Sequence, residues 1–483
     1  MTAGRTQDIC RITTIPNGRS SISCSYHLSD SDRMDAPAYP GNAAAIDLEL
    51  PSYARTPSTS WDVPPLNTQH SFHLTKKDGE HWLSLTVVSR AATNVETPMF
   101  FQGGLVGGTL MLNLEKEDII DSVHIALTGQ LNYFSHSASY FLNMKRTLWS
   151  CSVDQDPEVL ADAPNTVKQS GKLKGRYEWP FSFKLPKGVS IVSHIDVDSA
   201  RKNFRLPPSL SDGISGVRVE YQLAVRVERG RLRSHSKLVV PILFNPLLRP
   251  TTPSITRQLA YRENFPLVGA DGDPEGWKTL PPVKLRGKIF KSIAVEAACT
   301  LSLARPLCYT RGTPIPLMLT IESADQQALD LLATRHAIVV RLVQRTSFGT
   351  TMPGFRETSA EEQPLKEVRS RSIGRAVWWP PENEVQLPNR RTLAGEIHIP
   401  EAVSPRCHIL NFNLDHMVVI EPFQAVGFIP SEKKPLLRES VEIVTAFAEG
   451  PRPRAYMPPH YDGEDLEEPR PVGVRVGGFL VWV

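Results

Sequence analysis

The sequence predicts an all-β protein folded as two antiparallel β-sandwich domains in tandem, with a tail at each end. Three observations carry this. Short segments repeatedly alternate apolar and polar residues with a period of two, the pattern of strands that bury one face. Prolines are abundant, 41 in 483 residues, and proline breaks helix interiors. The chain is also too long for one core, because cores of more than roughly 250–300 residues split into separate domains.

The elements follow in order. Residues 1–45 are rich in Ser, Asp, Gly and Asn and lack periodicity, which predicts a disordered segment. A first sandwich is expected over 46–248. Its clearest strand is VRVEYQLAVRVERG, where Val217, Val219, Tyr221, Leu223, Val225 and Val227 share one face. In GRYEWPFSFKLP, Tyr177, Trp179, Phe181 and Phe183 alternate with polar residues. Pro180 cannot donate to a ladder, so this strand belongs at an edge or a bulge. WLSLTVV (82–88), GTLMLNLE (108–115), DSVHIALTGQL (121–131) and KLVVPILFN (237–245) complete the set. GGLVGG (103–108) reads as a flexible turn. Residues 249–283 are proline-rich with little alternation and predict a linker.

A second sandwich is expected over 284–449, with strands at 291–303, 314–323, 336–345, 410–422 and 439–447. A short helix is expected at Asp325–Ala333, with Leu329 and Leu332 facing inward. Residues 347–392 are polar and charged and read as a long hairpin insertion. Residues 450–483 form a proline-rich, acidic tail.

Composition narrows the function classes. The 54 Lys+Arg nearly balance the 51 Asp+Glu, which gives no electrostatic case for a nucleic-acid partner. Cys10, Cys24, Cys151, Cys299, Cys308 and Cys407 show no CxxC spacing, so neither a zinc ribbon nor a redox motif is expected, and reduced thiols in a cytoplasmic chain are. The start has no apolar leader core, and no apolar run approaches the ~20 residues of a transmembrane segment. No GxSxG, HExxH, P-loop or GxGxxG pattern is present, and the 13 histidines do not cluster at metal-ligand spacing. The expectation is a protein that is not an enzyme and uses no metal or cofactor.

Three segments of the first half carry a family likeness: GGLVGGTLMLNLEKEDIIDSVHIALTGQL (103–131), GRYEWPFSFKLP (175–186) and VEYQLAVRVERG with SKLVVPILFNPL (219–248). In the second half, LRGKIFKSIAVEAACTLSLARPLCYTRGTPIPLMLTIES (285–323) carries it. Over roughly 46–449 the chain resembles the α-arrestin family, particularly its fungal members. The resemblance implies immunoglobulin-like sandwiches of the arrestin type.

The tail holds Pro458-Pro459-His460-Tyr461, a PPxY motif. Its prolines preset a polyproline II helix that docks on WW-domain aromatics at little entropic cost, and Tyr461 fills a second pocket. The alternative is an ordinary proline-rich tail. Leu50-Pro51-Ser52-Tyr53 is an LPxY variant: a second docking site that would raise avidity, or a strand entry with Tyr53 packed inward. Through the resemblance, such motifs imply an adaptor that brings a WW-domain HECT-type ubiquitin ligase to the cytoplasmic tails of plasma-membrane transporters or receptors. That role implies recruitment from the cytoplasm to plasma membrane or endosomes, with peripheral membrane association. A cargo-sorting scaffold of the retromer type, working without a ligase, is the other reading. Arg369 and Arg371 precede Ser372, a pattern favoured by basophilic kinases, which makes Ser372 a candidate phosphosite or part of a solvated basic loop. Arg226, Arg229, Arg231 and Arg233 are candidates for binding acidic cargo, or form a solvated strand face and turn.

Overall fold

The computed structural model describes residues 68–458 except 77–78, 92–95, 134–137, 152–170, 193–200, 231–232, 350–365 and 382–386, together with 474–476 and 479–481. Among the described residues strands dominate, and helices are confined to two short segments, Ile255–Glu263 and Gln326–Leu332.

The first half forms two sheets. One orders its strands Thr68–Thr75, His81–Ser89, Leu105–Ile119 and Lys172–Lys184. Pro180 therefore lies on the edge strand of that sheet, opposite Thr109, a position where a residue without an N–H is tolerated. The other runs Met99–Phe101, Ser236–Asn245, Arg218–Glu228, Ser122–Asn132 and Ser139–Ser150. In Arg218–Glu228 the alternation expected from sequence holds: Val219, Tyr221, Leu223, Val225 and Val227 are buried while Arg226 is exposed.

The stretch 105–108 is strand, not flexible turn. Gly108 pairs with Val87 in the ladder, and a Cβ built on it would stand 1.9 Å from the Thr86 carbonyl oxygen. Glycine is used there for close backbone approach, not for freedom.

The second half is one continuous path of strands. Cys308–Thr310, Leu437–Val444, Phe412–Ile420, Val340–Gly349 and Lys366–Trp379 follow one another. Arg390–His398, Pro314–Glu322, Ile293–Ala304, Val283–Ile289 and Phe428–Pro430 continue it. Lys366–Trp379 joins the two parts: its segment 366–375 pairs with 341–349, and Ala376–Trp379 pairs with residues 394–397 of Arg390–His398. The polar stretch 347–392 thus contributes a strand of the body, with Ile373, Ala376, Val377 and Trp378 buried.

Gln326–Leu332 forms where a helix was expected. Asp325 caps it by accepting from the backbone N–H of Gln327 and Ala328, and Leu329 and Leu332 are fully buried. The second helix, Ile255–Glu263, arises inside the stretch read as linker. Ser254 caps its start, and Asn264 closes its end in the left-handed region at φ 60°. At the far end, Val474–Val476 pairs antiparallel with Phe479–Val481.

All these residues belong to one compact unit, Val63–Val483. The second half reaches into the first half's core: Phe348, Cys407, Ile409, Phe412 and Leu414 pack among Leu127, Tyr221 and Phe244. The 249 region is tied back to the last body strand, with Leu248 N donating to Thr445 Oγ1 (3.1 Å) and Ala446 N to Leu248 O (2.9 Å).

Candidate functional site

Of the PPxY residues, Pro458 is the last described residue of the body and is half-buried, while Pro459 and Tyr461 lie outside the described residues. Leu50, Pro51 and Tyr53 also lie outside them, as do residues 1–45 and Arg231. Ser372 is exposed on the strand Lys366–Trp379, opposite Val343, with the Arg341 guanidinium 3.4 Å from its hydroxyl. It stands on a paired strand rather than a free loop. Arg229 and Arg233 do not present an open basic stripe: both ion-pair with Asp118, at 2.8 and 2.7 Å, and Arg229 also lies 5.3 Å over the Trp82 ring. Arg226 pairs with Glu228 at 3.3 Å but remains exposed.

The segment leading into the PPxY motif is seated on the body. It crosses the outer face of the sheet that holds Arg390–His398. The period of two places Thr392, Ala394 and Glu396 on that outer face, opposite Leu393 and Ile397. Glu396 is nevertheless only 5% exposed, because the tail covers it. Its carboxylate accepts the backbone N–H of Tyr456 at 2.8 Å. Burial raises the Glu396 carboxyl to about 7, while the N–H groups of Tyr456 and Met457 oppose that rise. The Tyr456 ring stacks on Tyr261 of the helix Ile255–Glu263 at 6.4 Å between centroids, and the Arg454 guanidinium donates to Asn264 Oδ1 at 3.3 Å.

That helix is itself fixed by a buried cation. Arg257 is 3% exposed and donates to the carbonyls of Arg305 (2.7 Å) and Gly276 (2.6 Å), with its guanidinium 4.8 Å from the Trp277 ring centroid. Ser254 Oγ donates to Asp273 Oδ2 at 2.5 Å, joining the helix start to the following loop. The stretch 249–283 therefore builds the seat on which the tail rests.

A second polar cluster lies in the seam between the halves. Arg371 and Gln344, joined by a 2.9 Å hydrogen bond, and His416 come from the second half, and Asp212 comes from the first. Burial weakens the hold of the Arg371 guanidinium on its proton, and the charge of Asp212 counteracts this. His416 is fully buried, neither ring nitrogen has a hydrogen-bond partner among the described residues, and burial depresses it to about 3. Asp212 Oδ1 and Arg371 Nε are likewise buried without partners, each a cost of about 1–3 kcal/mol. Arg369 adds a hydrogen bond across the same seam to the Ile214 carbonyl.

Sequence reading missed these groups for different reasons. His416 was legible: it shares the parity of Phe412, Leu414, Val418 and Ile420, so alternation alone places it inside. Glu396 was not, because it sits on the polar parity of its strand and becomes buried only through residues sixty positions later.

Among the described residues no group of His, Cys, Asp and Glu is arranged to hold a metal ion, and no helix is long and apolar enough to cross a membrane. Cys151, Cys299, Cys308 and Cys407 are free thiols. No protein-family model matches the chain, and the curated proteins contain no significant match.

Proposed function

We propose that the chain is an α-arrestin-type adaptor that links a WW-domain HECT ubiquitin ligase to membrane-protein cargo. The observation that carries the reading is the position of Pro458-Pro459-His460-Tyr461. The motif begins where the seated segment ends, so a ligase captured there is tethered to the sandwiches at a defined point. Tethering raises the effective concentration of the ligase around lysines of whatever the body holds. The acidic run Asp462, Glu464, Asp465, Glu467 and Glu468 follows the motif directly. Support for the fold half of the reading is the pair of β-sandwich halves and the resemblance over 46–449.

Arg229 is largely buried against Asp118, so Arg226 and Arg233, each 55% exposed, are the described members of the arginine set open to an acidic cargo tail. The test is capture of the full chain by immobilised WW domains. Tyr461→Ala is expected to weaken capture at least about tenfold, and Tyr53→Ala by less, as the second arm of a bivalent contact. Failure of the unsubstituted chain to bind would overturn the adaptor reading in favour of a ligase-independent sorting scaffold.

A further inference from the structure

Arg257 is a charge that the body buries without a counter-charge. It is 3% exposed, yet no carboxylate among the described residues ion-pairs with it. Charged side chains are almost never fully buried unless paired, because taking a charge out of water is costly. Two carboxylates in the neighbourhood are engaged elsewhere. Asp273 Oδ2 accepts from Ser254 Oγ at 2.5 Å and its Oδ1 from Gly276 N at 3.1 Å. Glu396, under the tail, accepts the Tyr456 N–H. Two guanidinium nitrogens of Arg257 donate to carbonyls, but its Nε is buried with no hydrogen-bond partner among the described residues.

A cavity of about 50 Å³ lies against this guanidinium. Its wall includes Arg257, Tyr261, Tyr309 and Thr313, with Pro453 contributed by the tail. The hydroxyls of that wall already use its carbonyls as acceptors. Tyr309 Oη donates to Ala304 O at 2.5 Å, Thr313 Oγ1 to Thr310 O at 2.6 Å and Thr310 Oγ1 to Ala446 O at 2.9 Å. A second buried donor without a partner among the described residues, Tyr456 Oη, belongs to the ring stacked on Tyr261. The surroundings therefore offer donors and positive charge and lack a free acceptor.

Size narrows what fits. One water needs roughly 10–15 Å³ of such a cavity, so this one has room for an ion of chloride size with a water or two, and none for an organic anion. Access is through a surface cleft of about 490 Å³ that shares Thr251, Pro253, Arg305 and Pro306 with the cavity. The charges of the cleft are mixed: Arg305 stands against Glu275, and Lys278 is held by Glu439 at 2.9 Å. Selection for an anion thus rests on Arg257 and not on the entrance.

From this we infer that the cavity beneath the helix Ile255–Glu263 is a binding site for a small inorganic anion of chloride size, with Arg257 Nε–H as its principal donor. Water satisfies the donor but leaves the buried charge unbalanced; an anion does both. The occupant also fastens the segment ahead of Pro458, since Pro453 forms part of the wall. The inference does not rest on the adaptor reading and survives or falls without it.

The test is thermal unfolding of the full chain at constant ionic strength, exchanging sodium gluconate, whose anion is too large for the cavity, for sodium chloride. Chloride is expected to raise the melting temperature by about 2 °C or more, along a curve that saturates as ligand linkage requires. Arg257→Gln should abolish the rise. Crystals of the unsubstituted chain soaked in bromide should show an anomalous peak within hydrogen-bonding distance of Arg257 Nε. The bromide arm decides the matter if the substituted chain does not fold. Equal melting in the two salts, a rise that persists in Arg257→Gln, or the lack of a bromide peak in the cavity would overturn the inference and leave water as the occupant.

Discussion

The core of the first sandwich borrows Phe348, Cys407, Ile409, Phe412 and Leu414 from the second half, whereas every buried member of the other core lies between Trp277 and Ile443. One half is closed by its neighbour; the other closes itself. The borrowing follows from topology. Cys407–Ile409 and Phe412–Ile420 form a short hairpin, paired Ile409↔Phe412, at the end of the second sandwich's sheet. That hairpin's apolar parity continues past its own sandwich and into the neighbouring one. The polar groups Asp212, Arg371 and His416 line the same seam, so the junction combines apolar burial with unpaired polar atoms. Strength there rests on packing and not on ion pairs.

The asymmetry is most exposed to test by cutting the chain. A fragment ending at residue 248 should lack a cooperative thermal transition, since its core would face water where Phe412 and Leu414 now pack. A fragment covering 249–458 should melt cooperatively. Calorimetry on both fragments checks this, and two cooperative transitions would end the comparison.

A single side chain gives the next largest effect. Phe412→Ala should destabilise the full chain by about 3–5 kcal/mol, as for large-to-small changes at fully buried aromatics. In the 249–458 fragment the same substitution should matter far less, because most of its packing partners are gone. Denaturant midpoints in the two backgrounds measure the difference, and equal losses would place Phe412 in the wrong core.

At neutral pH the smallest effects come from the titrating groups, and the seam and the tail seat should respond to pH in opposite directions. His416 is depressed to about 3 from 6.5, so the unfolded chain binds a proton that the folded chain refuses. Its contribution to stability is present above pH 6.5 and is lost as pH falls toward 3, by up to about 1.4 kcal/mol per unit. Glu396 is raised to about 7 from 4.5, so here the folded chain holds the extra proton. Stability from this group is full below pH 4.5 and declines as pH rises to 7. Glu396→Gln should therefore stabilise by about 1–3 kcal/mol at pH 8 and do nothing near pH 4, while His416→Leu should flatten the acid limb. Urea melts across pH on each variant decide the signs; an equal effect of Glu396→Gln at both pH values would mean that the seat does not bury the carboxylate.

Much of the fold could be read residue by residue. The parity of Val219 to Val227 fixed one strand and its buried face, Pro180 marked a sheet edge, and Asp325 with Leu329 and Leu332 announced a capped helix. The helix Ile255–Glu263 gave no such signal. Its apolar Ile255 and Leu259 are exposed and its Arg257 is buried, which inverts the amphipathic pattern. That inversion works only because distant carbonyls at Gly276 and Arg305 receive the guanidinium. The strand within 366–379 was hidden by its polar first half, which lies at a sheet margin, although Ala376 to Trp378 carry the apolar content of a core strand. For the tail, the sequence supplied the PPxY motif but not its seat.

What the sequence determined by itself is the strands with clean alternation, such as Arg218–Glu228, because side-chain alternation is a property of adjacent residues and sheets read it directly. The tertiary structure alone decided which half completes which core, why Glu396 and Arg257 are buried, and where the segment before Pro458 comes to rest. Those outcomes depend on pairs separated by tens to hundreds of positions, and local pattern carries no information about which distant surface will cover a given face.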